Sequence, residues 1–513
     1  MRVRIVTAAE AVREIRDGSN VATGGFVGAG HPEALTVALR ERFLAEEKPR
    51  GLTFIYAAGQ GDAKNRGLNH VGLPGLVRRV IGGHWNLAPA LARLAVNDEI
   101  EAYNFPQGVI SKLFREIASG NPGMLSRIGL GTFVDPRLGG GKVNRVTHED
   151  LVEVMRIGER EMLWYRAVPV DVALIRGTSS DEFGNISFER EVMTGEALAI
   201  AQAAKNSGGM VIAQVEQLVP NYGRDPKSVR VPGIFVDRIV VAPRAQHPQT
   251  YDCEYEDAFV RQGDCTEMPL PLLEPGPRRY IAARCLSELR PRDIVNLGIG
   301  IPEGVAQLAA EKKGMEDFVL TVEAGVIGGI PAGGLSFGAS RNPQAIIDQP
   351  YMFDFYDGGG LNVAVLSMAE CDQAGNVNVS KFGDRLPGIG GFMNIAHSAR
   401  RVVFAGTFTA GRLRVGWDGE RLRIVEEGAS RKFVRSVQQI SFASRVAMRH
   451  GSEAIYVTER AVFRLREDGL ELIEVAPGID VGRDVLGKMD FRPAISPQLK
   501  KMDLEIFRPP CAS

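Results

Sequence analysis

Residues 19–39 read SNVATGGFVGAGHPEALTVAL, and residues 293–309 read DIVNLGIGIPEGVAQLA. Each begins as a short apolar strand, turns through glycines and passes a Pro-Glu pair (Pro32-Glu33, Pro302-Glu303). Each then continues as an amphipathic helix. A short apolar run, a glycine turn and a helical period in that order mark a β–α unit. Two further pairs support a duplication. VDVALIRGTSSDEFGNIS (170–187) parallels LNVAVLSMAECDQAGNVNVS (361–380), each giving a strand, D-x-x-G-N and a short strand. NFPQGVIS (104–111) and TVEAGVIGG (321–329) share Gly-Val-Ile. The pairs run in the same order in both halves, and the first half carries extra residues. They predict two similar open α/β domains. EALTVALRERFLAEE (33–47) and EGVAQLAAEKK (303–313) read as the helices that follow the first turns.

Segment 243–276, PRAQHPQTYDCEYEDAFVRQGDCTEMPLPLLEPG, is rich in proline and charge and has no period. It reads as a linker between domains 1–242 and 277–513. A new amphipathic pattern, RRYIAARCLSEL, then opens the second half.

The chain has 513 residues, enough for two sizeable cores. Lys+Arg is 61 and Asp+Glu is 62, so the net charge is −1. Without a basic excess or a polybasic run, neither nucleic acid nor a membrane surface is expected as a partner. Five cysteines, an odd number with no CxxC pair, fit a reducing compartment and argue against a disulfide framework. The N-terminal run MRVRIVTAAEAVREI lacks a signal-type apolar core, and no stretch of ~18 apolar residues occurs. A cytoplasmic protein is expected.

Metal chemistry has little support. The seven histidines (31, 70, 84, 148, 247, 397 and 450) are scattered without HxH or HExxH, and they read as surface or loop residues. GxSxG and GxxxxGK[ST] are absent. The loops GGFVGAGHP (24–32, with Gly25) and LGIGIP (297–302) precede helices. Either could aim backbone N–H groups at an anion or simply be a packing turn.

Glu323 stands out. It ends the apolar run Phe318–Val322 and is followed by Gly325, Gly328 and Gly329, with no Lys, Arg or His within five residues. A strand-end carboxylate can cap its turn. At the ligand-bearing end of a β–α unit it can also act as a nucleophile. The Gly-Val-Ile pairing sets Gln107 opposite Glu323, as a neutral donor for a developing oxyanion.

Together these residues carry a resemblance. LTVEAGVIGG, NLGIGIPEGV (296–305), FDFYDGGG (353–360), AGNVNVSKFG (374–383) and PGIGGFMN (387–394) resemble the family I coenzyme A transferases. So do GGFVGAGHPEAL (24–35), AAGQGD (57–62), GGHWN (82–86), NFPQGVI (104–110) and GLGTFVDPR (129–137). The single-chain, short-chain acyl-CoA members, acting on acetate or propionate, match best. The resemblance implies two α/β domains with the active site between them. It implies Glu323 as nucleophile, Gln107 as oxyanion donor and a second N–H from Gly390-Gly391. It further implies a CoA and substrate surface that includes Gly25, Gly298, Ile299, Gly300, Gly325 and Gly359. CoA is then a substrate; no bound cofactor or metal is implied, and a homo-oligomer (dimer or tetramer) is. Where the ketoacid branch has Ser-Glu-Asn-Gly, this chain has Val322-Glu323-Ala324-Gly325, which implies small monocarboxylates. A hydrolase on the same fold and a ligand-sensing α/β protein are the rival readings.

Overall fold

The computed structural model describes residues 2–221, 225–263, 271–312 and 314–509. Cys265, Cys511, the middle of segment 243–276 and Lys313 of the expected helix 303–313 lie outside them. Among the described residues, two large sheets form. The first runs Arg4–Ile5, Arg238–Val241, Met210–Val215, Val172–Arg176, Asn20–Thr23, Leu52–Tyr56, Val77–Gly82, Glu101–Asn104. All of its pairings are parallel. The second is built on five parallel strands in the order Val319–Val322, Ile294–Leu297, Val363–Ser367, Arg401–Ala405, Glu453–Val457. Antiparallel strands flank this parallel block at both edges. The strands are near-continuously apolar because helices cover both faces of a parallel sheet.

Both β–α units of the repeat occupy the same place. Asn20–Thr23 leads into the helix Glu33–Glu46, and Ile294–Leu297 leads into Glu303–Glu311. The D-x-x-G-N turns match down to single hydrogen bonds. Asp181 Oδ1 accepts from Phe183 N and Asn185 N, while Asn185 Nδ2 donates to Asp181 Oδ2. Asp372 does the same with Ala374 N, Asn376 N and Asn376 Nδ2. An aspartate that satisfies its own turn backbone explains why this spacing survives in both halves.

The third pairing is corrected. Glu323 follows Val319–Val322, which lies beside Ile294–Leu297. In the first sheet the strand beside Asn20–Thr23 is Leu52–Tyr56, with Val21 opposite Phe54 as Val295 is opposite Leu320. The topological counterpart of Glu323 is therefore Ala57. Gln107 follows the edge strand Glu101–Asn104, two strands further out. Gly-Val-Ile in both segments is a coincidence of helix start and hairpin.

The halves dock closely. The helix Gln107–Ala118 packs on Gln349–Asp357. Lys112 pairs with Asp357, and Arg115 with Asp354 at 2.8 Å. Gly108 sets the approach: a Cβ there would lie 2.4 Å from the Phe353 ring and 2.6 Å from Asn394 Nδ2. Gly108→Ala is accordingly expected to destabilise by about 1–3 kcal/mol through overpacking, read as a lower denaturant midpoint.

Segment 243–276 has more structure than a tether. Tyr251 and Phe259 join an apolar cluster with Phe26, Val27, Val322, Ala324 and Phe337, drawn from both halves. Tyr251 OH donates to Glu33 Oε2 at 2.6 Å. Arg341 of the second half pairs with Glu256 at 2.8 Å, and Tyr255 stacks beneath Arg190.

Candidate active site

The carboxyl ends of strands from both sheets meet at a cavity of about 240 Å³. Glu323 enters from the end of Val319–Val322, and Gln107 from the first turn of its helix. Gly298, Ile299, Leu366 and Ser367 form the wall from the second half. Phe26, Val27, Gly59, His84 and Leu87 form the wall from the first, and Pro387–Ile395 closes the base.

Glu323 is 8% exposed. The turn that holds it depends on Gly325, at φ +111°, where a Cβ would lie 1.9 Å from Ile347 O. Gly391 presses on the carboxylate from the other side: a Cβ there would be 3.2 Å from Glu323 Oε1. Burial raises the Glu323 carboxyl above its usual value of 4.5, partly offset by its own backbone N–H and by the Asn296 amide. Ionising Glu323 therefore costs stability. That cost is absent below the unfolded value, grows between the unfolded and the higher folded value, and is fully present above the folded one. Glu323→Gln is expected to raise the melting temperature by about 1–3 °C at pH 7, with the two proteins converging near pH 4. Thermal melts at both pH values test it.

Gln107 is buried, and its Nε2 donates to Gln349 Oε1 at 3.2 Å. In this orientation one N–H of the Gln107 amide is used and the other is left for a ligand. Gln107 N donates to Gly390 O at 3.0 Å, and Gly390 N donates to Gly83 O at 2.7 Å. The Gly390 N–H is thus already occupied. Of the expected Gly390-Gly391 donor, the Gly391 N–H remains, with no acceptor among the described residues.

The structure brings Glu323, Gln107, Gly298, Ile299, Gly390 and Gly391 together around the cavity. It places the other expected residues elsewhere. Gly25 packs on the His31 backbone and Gln60, and Gly325 shapes the Glu323 turn. Gly300 stands behind Ile299 near Ser367, and Gly359 lies past the far end of Gln349–Asp357. Val322 and Ala324, the apolar flanks of Glu323, face the cluster around Tyr251 rather than the cavity.

Sequence reading missed three site residues. Asn296 points from its strand into the cavity, Gln349 buttresses Gln107, and His84 lines the wall. The reading of the histidines as surface or loop residues fails at His397, which is buried in the helix Phe392–Ser398; His31 and His247 lie in loops, although both are buried. Among the described residues no group of side chains could hold a metal ion, and no helix is long and apolar enough to cross a membrane.

A carboxylate at a strand end, a neutral amide donor and a glycine-lined approach between two α/β sheets are the groups that acyl transfer requires. The comparisons agree. A coenzyme A transferase family model matches residues 5–242. Acetate CoA-transferase YdiF of Escherichia coli K12 is 44% identical over 512 residues, covering 99% of this chain and 95% of the relative. Caffeate CoA-transferase of Acetobacterium woodii is 45% identical over 510 residues, covering 98% and 97%. The crystal structure of acyl-CoA transferase YdiF from E. coli O157:H7, a thioester complex with CoA, superposes with a TM-score of 0.93 at 42% identity. It covers 99% of this chain and 96% of that one. The chain belongs to the coenzyme A transferase family. It is a family I CoA-transferase, moving CoA between an acyl-CoA and a free carboxylic acid.

Proposed function

We propose that this enzyme transfers CoA between short-chain monocarboxylic acids of the acetate and propionate class, with Glu323 as nucleophile. The observation that carries this is a buried carboxylate in a small cavity whose lining, among the described residues, contains no Lys or Arg. A second carboxylate on the acid would be desolvated there without a cation, which costs several kcal/mol. Phe26, Val27, Leu87, Phe337 and Val379 offer apolar surface to a short alkyl group.

The steps follow from that geometry. A Glu323 oxygen attacks the thioester carbonyl, and the tetrahedral oxyanion collapses to an acyl-glutamyl anhydride with loss of CoA thiolate. The thiolate attacks the glutamyl carbonyl, releasing the first carboxylate and leaving a glutamyl-CoA thioester. The acceptor carboxylate then attacks that thioester, and the same two steps run in reverse. Every oxyanion needs donors aimed at it, and the free N–H of Gln107 and the Gly391 N–H supply them. Gly298 and Ile299 leave room for the pantetheine arm. Apolar walls keep out the water that would hydrolyse the anhydride. The test is an acceptor panel assayed by mass spectrometry. Acetate and propionate should turn over well and succinate poorly; efficient succinate transfer, or release of free acid without an acceptor, would contradict the reading.

Residues 1–242 and 277–513 are read as two domains, and segment 243–276 as their connection. Each half has its own sheet, and one large apolar cluster draws only on residues from 273 onward. Chains cut just after Gly263 and co-expressed should co-purify and transfer CoA, because Gln107 and Glu323 sit on separate pieces that share the docking surface. Pieces that fold singly but never associate would contradict it. The enzyme is further proposed to be cytoplasmic and a homo-oligomer, which sedimentation of the purified protein checks.

A further inference from the structure

His84 stands on the loop after the strand Val77–Gly82, and its backbone bridges to Gly388 of the other half. The Nδ1 side of the imidazole packs against Gly59: a Cβ there would be 2.5 Å from His84 Nδ1 and 3.0 Å from Cγ. Nδ1 is buried and has no hydrogen-bond partner. On another side the residue borders Gly390, where a Cβ would lie 3.7 Å from His84 Cδ2, 3.9 Å from His84 Cβ and 3.8 Å from Gln107 Oε1. Glu323 Oε1 sits against the next residue, Gly391. His84, Gln107 and Glu323 all line the one cavity.

The protonation state follows from burial, which pushes His84 down to about 4 with no charged neighbour contributing. A neutral imidazole carries one N–H. An orphaned buried N–H is rarer in proteins than an orphaned acceptor, so the hydrogen belongs on Nε2, facing the cavity, and the bare nitrogen faces Gly59.

The acid substrate is an anion, yet the cavity lining holds no cation to receive it. Of the side-chain donors in that lining, Ser367 donates to Ile299 O, and Asn296 Nδ2 is shared between Thr321 O and Tyr356 OH. Gln107 has one N–H committed to Gln349. Among the described lining side chains, His84 donates to no acceptor, and Gln107 keeps one N–H that the oxyanion requires. It also comes from the first half of the chain, whereas Gly298 and Ile299 come from the second.

We infer that His84, through Nε2–H, holds the carboxylate of the acid substrate, both the acceptor entering and the first acid leaving. A neutral donor suits the task. A lysine or arginine here would pair with Glu323 and blunt its attack. An uncharged N–H gives a charge-assisted bond to the carboxylate, which weakens once that oxygen enters the anhydride and loses its charge. This rests on the reading of Glu323 as the residue that carries CoA.

The experiment isolates the second half-reaction. Glutamyl-CoA enzyme is formed from acetyl-CoA, freed of acetate and discharged with varied acetate in a rapid quench. His84→Leu should raise the acetate concentration for half-maximal discharge about 10–100-fold, the range for losing a hydrogen bond to a charged group. His84→Asn, which keeps an N–H, should recover part of the loss. Unchanged acetate dependence in a folded His84→Leu would overturn the inference, as would a defect confined to adduct formation. A second readout needs no variant in the binding arm: 15N-histidine-labelled wild-type enzyme titrated with acetate. The His84 ring signal, assigned by its loss in His84→Asn, should move; a signal that stays in place overturns the inference. Absence of any adduct in wild type would instead contradict the role of Glu323, and the acetate titration would still be decided on its own.

Discussion

Glu323→Gln should lose CoA transfer to background while remaining folded. The amide fits the same space between the Gly325 turn and Gly391, and it lacks the anionic oxygen that attacks the thioester. Residual catalysis of the covalent route has no source, because Ala57 stands at the matching position of the first sheet and cannot substitute. Retained stability is part of the prediction. The charge removed is one that burial already disfavours, so lost activity cannot be assigned to unfolding. Exchange of label between acetyl-CoA and acetate, followed by mass spectrometry, reads the effect. Exchange at a wild-type rate would move the nucleophile elsewhere.

Gln107→Ala carries the second-largest effect. One of its N–H groups is bound to Gln349 and the other is left for the oxyanion. Losing a preorganised donor of this kind lowers kcat by about 10²–10³-fold. KM should move far less, since the bond tightens only as negative charge develops. A change confined to KM would make Gln107 a substrate-positioning residue. Steady-state kinetics at saturating acyl-CoA and acid separate the two.

The sequence made the β–α units readable because their cause is local. An apolar run, a glycine turn and a helical period lie within twenty residues, and the D-x-x-G-N aspartates satisfy their own turns. Glu323 was legible for a related reason: a carboxylate between an apolar strand and glycines has few structural excuses. Gln107, which lines the same cavity, was reached by a pairing that the strand order shows to be accidental. What stayed hidden depends on the other half of the chain. His84 has no local signal; it gains meaning only when Gly59 and Gly388 close around it. Gln349 likewise acts through a residue 242 positions away. Segment 243–276 looked like a tether because its apolar residues have no period. Tyr251 and Phe259 are nevertheless buried against surfaces that only the docked halves create. The flanks Val322 and Ala324 illustrate the same limit, since strand alternation does not say which side is cavity and which is core.

The account rests on a covalent bond between Glu323 and CoA. Wild-type enzyme incubated with acetyl-CoA in the absence of an acceptor acid, quenched and digested, should yield the peptide containing TVEAGVIGG with CoA attached through the Glu323 carboxyl. Addition of acetate before the quench should remove it. CoA found on another residue, or no adduct in enzyme that still transfers CoA between acids, would contradict the account.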